Sequence, residues 1–154
     1  MKGFREALRR HPKLAPAVAT ELAYNAAFDE ALLDHIVSAL KSAGFKDDAL
    51  VDAFNVVVAA MSGFATLELS AAPTEASESW REACMARIDA IDPRKNPHLH
   101  GERDALRNKA FLMRWSDGIE SPLDRSFDAW VDVIVRGLES RSRALRRASR
   151  DSRS

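Results

Sequence analysis

The run FNVVVAAMSGFATLEL, from Phe54 to Leu69, limits what this chain can become more than any other stretch. It is long for a strand and shows no two-residue alternation, so it reads as a helix. On a helix Val56, Val57 and Val58 point in three directions around the axis, because successive residues are turned by about 100°. Such a helix leaves no obvious wet side and asks for neighbours all round. The 154 residues, 46% of them hydrophobic, suffice to supply those neighbours from one domain. No stretch reaches the roughly 18 apolar residues of a membrane span, because Ser62 and Glu68 interrupt the richest run.

The rest of the chain carries helical periodicity between glycine and proline breaks, and nothing suggests strands. Gly3 to Arg10 ends a helix stopped at His11-Pro12. A helix is expected from about Ala23 to Ala43, with Phe28, Leu32, His35, Ile36, Ala39, Leu40 and Ala43 as its apolar stripe and Gly44 as its left-handed terminator. Asp47 or Asp48 starts the central helix, which runs to about Ser70. A fourth helix spans Glu75 to Ile91, with Trp80, Cys84, Ile88 and Ile91 on one face. Pro97 opens a further helix reaching about Trp115. Ser121 and Pro122 open the last, whose stripe is Leu123, Phe127, Trp130, Ile134, Leu138 and Leu145. The expectation is an all-α bundle of five to six helices around one apolar helix. Residues 1–145 form a single domain and residues 146–154 a frayed basic tail.

Charge and motif exclude much. The 23 basic and 23 acidic side chains give a formal net charge of +0, so no global field draws the chain to nucleic acid or membrane. Cys84, the one cysteine, cannot form an intrachain disulfide and sits most simply on an apolar face. MKGFREALRRHP lacks an apolar signal core, which points to a cytoplasmic protein. His98 and His100 stand two apart and diverge on a helix, so no metal site is expected from them. No phosphate loop, nucleophile elbow or carboxylate pair announces catalysis, and no cofactor is implied. The arginines of SRSRALRRASRDSRS, Arg141, Arg143, Arg146, Arg147, Arg150 and Arg153, suit a solvated helix end. A phosphate-binding arm would more often interleave aromatics.

Three stretches in order carry a resemblance: ALRRHPKLAP followed by LLDHIVSALKSAGF, then IDPRKNPHL, then FDAWVDVIVRGLESR. Together they resemble the C-terminal domain of the TetR family of bacterial transcription regulators. The resemblance implies an effector-binding domain that also holds a homodimer together through a four-helix bundle. It implies operator DNA as a partner only through an N-terminal helix-turn-helix unit, which this chain does not include. In such a domain the central helix borders a cavity. Phe54, Val57, Val58, Met61 and Phe64 are core residues first and, as a group, the expected wall; Phe28 and His35 join them from the preceding helix, His35 reading first as a hydrogen-bonded core histidine and second as a polar anchor in the pocket. Gly63 in mid-helix either admits a close neighbour, the favoured reading, or leaves space for ligand. The expected dimer face comprises Trp80, Cys84 and Ile88 with Phe127, Trp130, Ile134, Gly137 and Leu138. The function expected is sensing of a small, mostly apolar effector. The alternative is a helical interaction module with a filled core and no ligand.

Overall fold

The computed structural model describes residues 1–18, 29–69 and 78–151, without the side chains of residues 149 and 150. Every regular element among them is helical. Helix α1, Lys2–Arg10, ends at His11 as expected, and Pro12–Leu14 makes a turn of 3-10 helix. Helix α2, Glu30–Ala43, starts later than the periodicity suggested. Asp29 is extended (φ −102°, ψ 100°) and its carboxylate accepts the Leu32 N–H at 3.1 Å, so the chain cannot run helically through it. Phe28 lies outside the described residues. Gly44 closes α2 with φ 100°, its N–H turned to the carbonyls of Leu40 and Lys41.

Helix α3, Asp47–Leu69, contains the opening run and packs against α1, α2 and a last helix, α7, Asp124–Asp151. It threads three core clusters. Near its start, Ala53 joins Ile36, Leu40 and Phe45, with Phe54, Val57, Leu138 and Leu145 packed around them. In its middle, Phe64 meets Leu123 and Phe127, flanked by Phe111 and Trp130. Near its end, Ala65 and Leu69 pack on Leu8 and Ala15. The helix is thus central, yet not wrapped all round: Val51, Val56 and Leu67 are 57%, 43% and 56% exposed. Its apolar residues are divided between the core and two open flanks, Val51 on one and Val56 and Leu67 on the other.

Helix α3 is also long and apolar enough, by length and composition alone, to cross a membrane. The expectation that no stretch would reach this threshold is therefore not met. A window average tolerates Ser62 and Glu68, which a count of consecutive apolar residues does not. A core helix meets the same criterion, and the burial of Glu68 against an arginine, described below, is how this one keeps its charge.

Helix α4 is Glu78–Asp89. The long helix expected from Pro97 to Trp115 is instead two short pieces, α5, Pro97–Gly101, and α6, Arg103–Leu106. Beyond them Arg107 turns extended (ψ 122°) and Asn108 takes φ 55°. The Asn108 side-chain oxygen accepts the N–H groups of Trp115 and Ser116, each at 3.1 Å, which folds the segment back on itself. Asparagine tolerates the left-handed region and competes for backbone donors, so it can override helical periodicity. Leu112, also left-handed at φ 67°, is 98% exposed at the tip. Helix α7 begins at Asp124 rather than at Ser121 and runs to Asp151.

Candidate functional site: a groove and a buried ion pair flanking the central helix

Two features beside α3 gather chemistry. The first is an open groove of about 600 Å³ between α2, α3 and α7. Its floor follows from the Gly44 turn, which sends Phe45 back under α2, where it is fully buried. Ile36 and Leu40 from α2, Val57 from α3 and Leu138 from α7 complete that floor. The stripe on α2 is split by the packing. Ile36 and Leu40 turn inward, while Leu32, His35, Ala39 and Ala43 are exposed, the last three lining the groove. His35, one step round the helix from buried Ile36, is therefore not the buried core histidine that the stripe suggested. The other wall is α7, with Val135, Glu139, Ser142, Arg143 and Arg146. At the end of α2 the Ala43 carbonyl accepts from Ser142 Oγ at 2.5 Å and from Arg146 Nη1 at 3.1 Å. These donors satisfy a helix terminus that has lost its own partner.

Of the expected ligand wall, the structure brings His35 and Val57 to the groove. Phe54 packs in the cluster beneath it. Val58 is half-buried and Met61 buried, neither on the groove. Phe64 is elsewhere: its ring meets Phe111 at 5.2 Å and Phe127 at 5.4 Å, both edge-on, and Trp130 at 6.4 Å. Edge-on pairs contribute roughly 0.5–1.5 kcal/mol each beyond buried area, so this part of the wall is solid core. Gly63 shows no described atom within 4 Å of where a Cβ would stand, so close packing on it is not seen in the single subunit.

The expected dimer residues divide in the same way. Phe127 is 4% exposed inside the subunit, and Trp130 is half-buried with its indole N–H donating to the Ala60 carbonyl at 3.1 Å. Ile88 is buried; Trp80, Cys84, Ile134 and Leu138 are half-buried; Gly137 is exposed. His98 is exposed and His100 half-buried on α5, and Asp89 is held bidentately by Arg107 at 2.7 and 3.2 Å.

The second feature was missed in the sequence. Glu68, near the end of α3, is 1% exposed, and Arg5 of α1 is 7% exposed. Arg5 Nε donates to Glu68 Oε2 and Nη2 to Oε1, both at 2.6 Å. Glu68 Oε1 also accepts the Leu123 N–H at 2.8 Å, so it satisfies a free donor just before α7. The Glu68 carbonyl accepts the Gly118 N–H at 2.8 Å. Gly118 must be glycine for this: a Cβ there would stand 2.4 Å from Glu68 Cγ and 2.9 Å from its carbonyl oxygen. Arg5 also reaches Asp124 Oδ1 at 2.8 Å and lies 4.5 Å over the Phe127 ring. Hydrogen bonding to Glu68 raises the Arg5 pKa above the usual arginine range, and the hydrogen bond from Arg5 holds the Asp124 carboxyl below the usual carboxylate range. Around this centre runs an exposed row of pairs, Lys2 with Asp128 at 3.0 Å and Arg9 with Asp124 at 3.0 Å. The available signal was a lone carboxylate in an apolar helix, which demands a partner; nothing local names one 63 residues away. Nearby, Arg114 gives Nε to the Ser116 carbonyl and Nη2 to that of Ser121, and burial lowers its pKa.

A central helix, a groove against it and a first helix bonded to its far end make up a small all-α domain. The family model described as "Tetracyclin repressor-like, C-terminal domain" matches residues 1–141, and the chain belongs to that family. Neither the curated proteins nor the solved structures yield a match.

Proposed function

We propose that this domain senses a small molecule in the groove beside α3 and holds a homodimer, passing effector occupancy to a DNA-binding unit outside this chain. Family membership supports the class, and the observation that carries the sensing part is the apolar groove shared by α2, α3 and α7. A ligand there touches three helices at once, so its binding free energy can favour one arrangement of them over another. A cytoplasmic setting goes with this reading. The test is a thermal-shift screen of the purified chain against metabolites and drugs, because a ligand that prefers the native state raises apparent stability by mass action. Hits should lose their effect when Ala39, exposed in the groove, is replaced by Trp; hits indifferent to Ala39→Trp would count against the groove.

The alternative, an interaction module without ligand, has one observation in its favour: the ring cluster of Phe64, Phe111, Phe127 and Trp130 fills the middle of α3 where a chamber was expected. A stable dimer with no hit across the screen would favour it.

A further inference from the structure

Resting on the groove as the sensing site, we propose that its ligand is an amphipathic organic anion, with an apolar chain or ring on the floor and a carboxylate-type head at Arg143 and Arg146. The floor is hydrocarbon, from Ile36, Leu40, Phe45, Val57 and Leu138. The charge is gathered at one wall. Arg143 and Arg146 stand three apart on α7, a spacing that places both on one side of a helix, and both line the groove.

Neither guanidinium is used up. Arg146 gives Nη1 to the Ala43 carbonyl, which Ser142 Oγ already satisfies at shorter range, and its bond there leaves further N–H donors. Arg143 has Glu139 at 4.0 Å, the outer limit of an ion pair, both side chains being 60% exposed. Two arginines against the single Glu139 leave the lining with one net positive charge, His35 being counted neutral. A cation entering the groove meets that field unfavourably, and a neutral apolar molecule gains nothing from it. A planar carboxylate fits the forked donors of arginine, accepting two parallel N–H bonds. Because the site is open to water, the head contributes a modest factor and the floor supplies most of the affinity.

The probes are decanoate, 1-decanol and decyltrimethylammonium, which share a tail and differ in head charge, each kept below its aggregation threshold and titrated calorimetrically into the whole chain. Decanoate should bind tightest. Arg143→Ala/Arg146→Ala should weaken decanoate about tenfold while leaving decanol unchanged, and Ala39→Trp should weaken every probe that binds. Circular dichroism establishes that both variants keep their helix content. Equal affinity for the three heads, or decanoate binding indifferent to the arginines, would overturn the anion assignment and leave the groove standing. Binding of none of them, or binding indifferent to Ala39→Trp, would overturn the groove as well.

Discussion

Glu68 shows how one side chain can organise three distant segments. Its carboxylate takes the Arg5 fork and the Leu123 N–H, and its carbonyl takes the Gly118 N–H. Glu68→Ala leaves the buried guanidinium with Asp124 alone and the Leu123 N–H without its acceptor, and should cost about 2–4 kcal/mol in urea unfolding, whereas Arg5→Met/Glu68→Leu, which removes both charges, should cost distinctly less. Gly118→Ala, which drives a methyl into Glu68, should cost about 1–3 kcal/mol. Asp124 gives a pH signature. Its carboxyl is held below the usual range chiefly by the hydrogen bond from Arg5, so its contribution is present above the unfolded pKa and is lost as pH falls through the folded value. The Tm gap between the native chain and Asp124→Asn should therefore be full at neutral pH and close below about pH 4.

At the scale of elements, α3 and α7 each leave a side of small residues open. On α3 it holds Val56, Ala59 and Gly63; on α7 it holds Ala129, Val133 and Gly137, all exposed except half-buried Gly63. No described atom stands within 4 Å of a Cβ at either glycine. Within one subunit, Gly63→Ala and Gly137→Ala should then each raise helix stability by about 0.5–1 kcal/mol. If these sides meet their copies, the same changes should weaken association, so thermal stability measured across a dilution series separates the two effects. The helices most legible in the sequence were those whose ends have local chemistry, such as His11-Pro12 and Gly44. The start of α2 was equally local, since Asp29 is a capping residue, but Phe28, in helical step with Leu32 and His35, carried the pattern past it. The segment after α6 was illegible for a different reason. Leu99, Leu106, Ala110 and Met113 keep helical spacing, and the side chain of Asn108 breaks it through bonds to residues not yet reached by a helical window.

At the scale of the whole molecule, we propose a homodimer face on the open sides of α3 and α7, which shares Gly137 with the expected one but not its aromatic residues. Phe127 and Trp130 are spent on the subunit's own core, which leaves smaller side chains outside. Val133, 63% exposed, is the natural probe. Val133→Glu should leave the circular dichroism unchanged and shift sedimentation equilibrium to the monomer; an intact dimer would rule this face out. The candidate site was legible only in part, for a physical reason. Periodicity locates the apolar side of each helix but not the angle at which helices cross, and that angle decides which apolar residues meet a neighbour and which border open space. Val57 and His35 thus reached the groove, while Phe64, on the same helix as Val57, became solid interior.

The row of opposite charges joining Lys2, Arg5 and Arg9 to Asp124 and Asp128 has a mechanical corollary. It fastens the leading stub of the chain to one tip of a rod 28 residues long, and the opposite half of that rod carries Arg143 and Arg146. The far half is held as well, by Ser142 and Arg146 on the Ala43 carbonyl and by Arg141 on Asp52 at 2.6 Å, so the rod is clamped to α1 at one end and to α2 and α3 at the other.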